Sequence, residues 1–180
     1  MPDRARWGDP ASYREAWGER SRRAAALVED GASVLEIGVG RGVFRDLVGA
    51  RTSYVGADLE PLDPATIPLD LERDALPAGT FDYAVLLGVF GYLHRPAAAA
   101  EKICRAARRI VVSYCCRRAD LTVDEVRESR RARGWLNDFT QAEFVGLFAP
   151  HGFALASSMP LAATESFEEF LMELRRSSGC

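Results

Sequence analysis

The segment Val34-Leu35-Glu36-Ile37-Gly38-Val39-Gly40-Arg41-Gly42 constrains this chain more than any other. An apolar run of strand length ends in three glycines at alternate positions, and a helical pattern follows to about Gly49. Glycines at such a turn let a ligand approach the main chain where a Cβ would intrude. The turn's backbone N–H groups and the positive end of the helix then face the carboxyl edge of a sheet. Two cofactor classes use a turn of this kind. A dinucleotide site wants Gly-x-Gly-x-x-Gly, and here the third glycine comes one residue early. Glu36 would also stand close to a pyrophosphate and repel it, whereas it suits a ligand bearing an amine or sulfonium cation.

The remainder of the chain alternates strand-like and helix-like pieces without repeat or low-complexity linker. Strands are expected at 33–37, 53–57, 66–69, 81–87, 110–114 and 153–157, and helices at 10–29, from Pro96 to Ala107, and after the capping box Thr140-Gln-Ala-Glu143. Pro61, Pro64 and Pro68 leave little room for a helix between the second and third strands, so that crossover is shortened. Residues 169–175 fit a helix and a doubly buried strand equally well. Such alternation predicts an α/β domain with a mainly parallel sheet.

Two further acids stand at strand ends. Asp58 lies twenty residues beyond Gly38, where a carboxylate accepts the hydroxyls of a ribose; Leu59 follows beside it. Asp70 is placed to meet an adenine amino group, with the Leu71 N–H on a ring nitrogen. With Glu36, these acids form a row along the crevice in which α/β sheets bind ligands.

Together these motifs resemble the class I S-adenosylmethionine (SAM)-dependent methyltransferases over about residues 10–175. Residues 34–42 are similar to their first motif and Val55-Gly56-Ala57-Asp58 to their second. Asp70 with Leu76-Pro77-Ala78-Gly79-Thr80-Phe81-Asp82 is similar to the adenine-side acid and the approach to strand four. The stretch from Val85 through Gly88, Gly91 and His94 to Pro96 resembles the fourth motif, and length and pattern are nearest to the small methyltransferase-11 and methionine-biosynthesis-W-like branch. The resemblance implies a Rossmann-like fold with a seven-stranded sheet whose last strand, 169–175, is antiparallel. It implies SAM as cofactor and S-adenosylhomocysteine (SAH) as product, held by Glu36, Gly38, Gly40, Gly42, Asp58, Leu59, Asp70, Leu71 and Gly88. Glu36 would take the methionine amino end, and Tyr13, on an N-terminal helix closing over the donor, its carboxylate. A lid is expected over 117–137.

His94 follows strand four at the ligand edge, where an imidazole can take a proton from a hydroxyl acceptor. His151 precedes a strand and belongs at the opposite edge. Cys115 and Cys116 end strand five on the ligand side and are read as buried apolar packing, with lining of the acceptor pocket by at least one of them as the alternative. The expected reaction is O- or N-methylation of a small molecule within one domain of 180 residues. The rival readings are a SAM-fold binding or regulatory protein without methylation and, behind it, an NAD-linked oxidoreductase.

Twenty-three basic against 26 acidic residues, net −3, give no field for attracting nucleic acid. No apolar run approaches the ~20 residues of a membrane span. The charged start MPDRARWGDP lacks a signal-peptide core, so a cytoplasmic location is expected. Two histidines and four cysteines in no Cys-x-x-Cys arrangement give no metal site. The cofactor core consumes most of the length, leaving a small or partly exposed acceptor, or a homodimer or partner subunit that completes the pocket.

Overall fold

A computed structural model describes residues 17–177. Helix α1 (Trp17–Ala25) leads to β1 (Ser33–Ile37), α2 (Val43–Val48) and β2 (Ser53–Asp58). The two-residue β3 (Ile67–Pro68) and then β4 (Phe81–Leu87), α3 (Pro96–Ala106) and β5 (Ala107–Arg117) follow. Helices α4 (Val123–Ala132) and α5 (Gln141–Gly146) precede β6 (Phe153–Ala163) and β7 (Phe167–Arg176). The strands form one sheet in the order β3-β2-β1-β4-β5-β7-β6, reversing direction of growth beside β1. Strands β1 to β5 are mutually parallel, and β7 is antiparallel to both of its neighbours.

Strand alternation sorts the core into two layers. Val34, Val85 and Val111 face the side covered by α1 and α2, with Ala24 and Phe44 packed on them. Leu35, Leu86, Ile110, Val112 and Tyr114 face the other side, against α3 and the Phe144–Phe148 cluster. The ambiguous tail is a strand because Phe170, Met172 and Leu174 serve one layer while Leu171 serves the other, which a helix lying on the sheet could not do.

No helix joins β2 to β3. Asp63 holds that path instead: it pairs with Arg45 at 2.7 Å and accepts from the Ala65 N–H and Thr66 hydroxyl. Boundaries depart from expectation where tertiary pairing outweighs local pattern. Within the described residues α1 starts at Trp17 and stops at Ala25, where Arg51 caps the Ala25 and Val28 carbonyls. Strand β5 begins three residues early, because Arg109 leaves the sheet edge by binding Glu29 and the Tyr83 hydroxyl. Strand β6 runs six residues past Ser157 as an exposed edge, so it lacks the apolar alternation that marks a half-buried strand. Strand β3 is reduced to Ile67 and Pro68, the latter tolerated at an edge.

Candidate active site

A crevice of about 580 Å³ opens at the carboxyl ends of the central strands, beside the point where the strand order reverses. The β1–α2 turn forms its floor. Gly38 has φ +86°, and a Cβ there would stand 2.5 Å from Val89 Cγ2, so both the backbone conformation and the close approach require glycine. The Gly40 N–H donates to Asp58 Oδ2 at 2.8 Å, and the Glu60 N–H to Asp58 Oδ1 at 3.2 Å. Asp58 therefore clamps the turn to the end of β2. Gly42 lies behind the crevice rather than on it, donating to the Val39 carbonyl where α2 begins.

The three acids come together as expected, each buried and each on the crevice wall. Glu36 is 2% exposed and accepts the Tyr54 hydroxyl proton. Burial is the main cause that pushes its carboxyl up to about 8, with the nearby Asp58 charge adding to the rise against the Tyr54 hydrogen bond. Asp58 is likewise raised, chiefly by burial. Asp70 Oδ1 accepts the Glu72 N–H at 3.0 Å, while its own N–H is capped by Asp74 Oδ2 at 2.8 Å. Asp74 is thus the loop-shaping acid and Asp70 the one facing the crevice. Leu59, Leu71 and Gly88 also line it.

His94 does not join them. The 3₁₀ turn Phe90–Tyr92 brings Tyr92 and Leu93 to the wall and carries the next residue, His94, out to an exposed position. His151 sits in a short turn leading into the start of β6, away from the crevice. Cys115 lines the crevice and Cys116, one residue on, points into the core; burial pushes both thiols up to about 12. Tyr13 lies outside the described residues.

Sequence reasoning passed over Arg20 and Glu169. Arg20 projects from α1 one turn after Trp17, its guanidinium 5.2 Å from that ring, and Nη1 donates to Glu169 on β7 at 3.0 Å. Its Nε is buried without a partner among the described residues. Gly88, φ +76°, makes room for it, since a Cβ there would lie 2.9 Å from Nη1. The signal for Arg20 was the i, i+3 spacing from Trp17. None existed for Glu169 until the tail was known to be a strand. Trp135 also lines the wall: Gly91 admits its ring, with a Cβ there only 3.1 Å from Cδ1.

Among the described residues no group of His, Cys, Asp or Glu is arranged to hold a metal ion, and no helix is long and apolar enough to cross a membrane.

The chain is similar in fold to solved methyltransferases. Burkholderia thailandensis 1,6-didemethyltoxoflavin-N1-methyltransferase, solved with 1,6-didemethyltoxoflavin and SAH, aligns with TM-score 0.72 and 18% identity over 94% of this chain and 82% of that one. Magnesium protoporphyrin IX methyltransferase from Synechocystis PCC 6803, solved with SAM, aligns with TM-score 0.69 and 16% identity over 96% and 90%. A complex of the Haloferax volcanii Trm112 methyltransferase activator with its putative methyltransferase aligns with TM-score 0.72 and 15% identity over 98% of each chain. No curated protein sequence matches. Residues 11–158 match the family described as methyltransferase domain, and the chain belongs to that family.

Proposed function

We propose that this protein is a SAM-dependent methyltransferase that methylates a small-molecule acceptor in the crevice and releases SAH. The observation that carries the reading is the row of buried acids at successive strand ends, Glu36, Asp58 and Asp70, in one crevice with Arg20, whose buried Nε has no partner among the described residues. Those residues fit the cofactor. Glu36 meets the methionine ammonium. The guanidinium edge of Arg20 not used by Glu169 takes the carboxylate, a role also expected of Tyr13. Asp58 still has lone pairs for ribose hydroxyls after accepting two backbone N–H groups. Asp70 and the Leu71 N–H address the adenine, and Leu59, Gly38, Gly40 and Gly88 shape the walls. Gly42 supports the turn from behind.

The sulfonium of SAM supplies an activated methyl group, so the chain has only to hold donor and acceptor in line and exclude water. The segment 117–137 contributes Trp135 to the crevice wall, which supports its reading as a lid. The 1,6-didemethyltoxoflavin bound in one solved neighbour supports an acceptor of that size.

Calorimetry should show SAH binding at micromolar strength, and methyl-labelled SAM should pass label to a small-molecule fraction of cell extract. Failure to bind SAH ends the reading. Binding without any transfer of label would instead favour the non-methylating SAM-binding protein.

A further inference from the structure

We infer that Glu169 and Trp135 form the acceptor subsite, and that it takes a flat, weakly basic nitrogen nucleophile whose N–H donates to Glu169. The inference rests on the methyltransferase reading and narrows its acceptor.

Position comes first. Residue 169 shares its strand face with Leu171, the face toward α1, and is registered opposite Cys115 on β5. Both residues line the crevice, next to the guanidinium that stands over Gly88. The donor turn, Val89, Gly88, Arg20 and Glu169 thus follow one another across the crevice, and the carboxylate lies on the side away from Asp58 and Asp70. Arg20 Nη1 fixes Oε1, while Oε2 has no hydrogen-bond partner among the described residues. An oriented carboxylate with a spare oxygen on a cavity wall is an acceptor waiting for a donor.

Chemistry narrows the donor. His94 and His151 are outside the crevice, and the Cys115 thiol is held neutral by burial, so among the described residues Glu169 supplies the carboxylate on this side. A carboxylate is too weak a base to activate an alkanol. It would also hold an aliphatic amine as its unreactive ammonium. In an azole of low basicity the pyridine-type nitrogen arrives neutral with a free in-plane lone pair, while the other ring nitrogen presents its N–H to Glu169. As that lone pair forms the N–CH₃ bond, the S–CH₃ bond breaks and its electron pair stays on sulfur. The ring, now cationic, gives up its N–H proton to Glu169 Oε2 and on to water. Trp135 suits a flat ring: its indole lines the wall and is held by Arg130, 4.7 Å from the ring centroid, Arg133, at 5.6 Å, and Phe167, at 5.1 Å and 82°.

The test titrates the SAH-saturated protein with benzimidazole and with benzofuran, a bicycle of similar outline lacking N–H. Benzimidazole should bind at least tenfold tighter. Glu169→Leu should abolish the preference and Glu169→Gln should retain part of it, each variant being compared at saturating SAH. Trp135→Leu should weaken both bicycles. Equal binding of the two by the wild type, no binding of benzimidazole, or a preference that survives Glu169→Leu overturns the inference. Loss of SAH binding by the wild type would overturn the methyltransferase reading itself, so the two failures are distinct.

Discussion

Asp58 Oδ2 accepts the Gly40 N–H at 2.8 Å, so the carboxylate that would hold a ribose also sets the shape of the turn that would hold the rest of the cofactor. Asp58→Ala removes both functions at once. SAH affinity should fall at least tenfold by calorimetry, and Asp58→Asn, which can still accept from Gly40, should lose less. Equal loss in the two variants would mean that the turn needs no clamp.

Glu36 makes both stability and binding depend on pH. Burial lifts its carboxyl from 4.5 to about 8, so between these values the folded chain holds a proton that the unfolded chain has lost. Its contribution to stability is therefore whole below about pH 4.5 and is lost as pH rises through about 8, at no more than about 1.4 kcal/mol per pH unit. Glu36→Gln should remove that slope from denaturant-derived stabilities. An ammonium bound beside Glu36 favours the ionised form, so SAH binding at pH 7 should release a proton, visible as a dependence of calorimetric enthalpy on buffer. The Gln variant should release none through this group.

Gly38 tests the close approach of the turn to β4. Gly38→Ala must hold φ near +86° and place a methyl 2.5 Å from Val89 Cγ2, and the left-handed backbone alone costs about 1–3 kcal/mol. Adding Val89→Ala relieves the contact but not the backbone strain. The double variant should recover part of the thermal stability lost by the single one, and full recovery would show that φ carries no cost.

The glycine turn, the three strand-end acids and the order of elements were legible because each is encoded within a few residues: apolar strand, glycine, helix start, acid. The capping box at Thr140 was legible for the same reason, and the structure forms it with both reciprocal hydrogen bonds. Strand β6 was only half legible, since an exposed edge carries no alternating pattern and its length is set by pairing with β7. His94 sits at the correct edge, yet a single 3₁₀ turn decides which of two neighbouring residues faces inward, and it chose Leu93. Arg20 and Glu169 lie 149 positions apart and meet only after β7 inserts between β5 and β6. Local pattern carries no information on such a meeting.

Arg20 links the two halves of the crevice, and its variants separate charge from shape. Arg20→Met removes the unfilled Nε donor and leaves Glu169 without its cation. A charge-assisted contact to a ligand carboxylate is worth about 1.5–3 kcal/mol, so SAH should weaken by roughly ten- to a hundredfold. Arg20→Lys keeps the charge but loses the planar fork and should fall between. Adenosine, which lacks the carboxylate, should compete with equal strength against all three proteins. A matching loss for adenosine would move Arg20 from carboxylate recognition to general support of α1.

Arg130 anchors the segment 117–137, and it does so without a carboxylate partner among the described residues. Its Nε donates to the Asn137 carbonyl at 2.9 Å, and Nη2 to the Cys115 carbonyl at 2.9 Å and the Tyr114 hydroxyl at 3.1 Å. Trp135 lies against the guanidinium, so one buried side chain fixes α4, the loop after it and the crevice wall together. Arg130→Met fills similar space but removes the donor to the Asn137 and Cys115 carbonyls, at about 1 kcal/mol or more each, while the Tyr114 hydroxyl keeps the Phe139 N–H. Because α4 makes few other buried contacts, with Val126 the other buried residue, the loss should appear as local opening before global unfolding. Trypsin should then cut at Arg127, Arg131 or Arg133 at least tenfold faster than in the wild type under native conditions, with the remaining sheet protected. Lysine at 130 should not rescue, since a single ammonium cannot span the Asn137 and Cys115 carbonyls as the fork does. Unchanged cleavage in the Met variant would show that the segment is held by its other contacts, including the Leu136 N–H to Gly91 carbonyl bond at 2.7 Å.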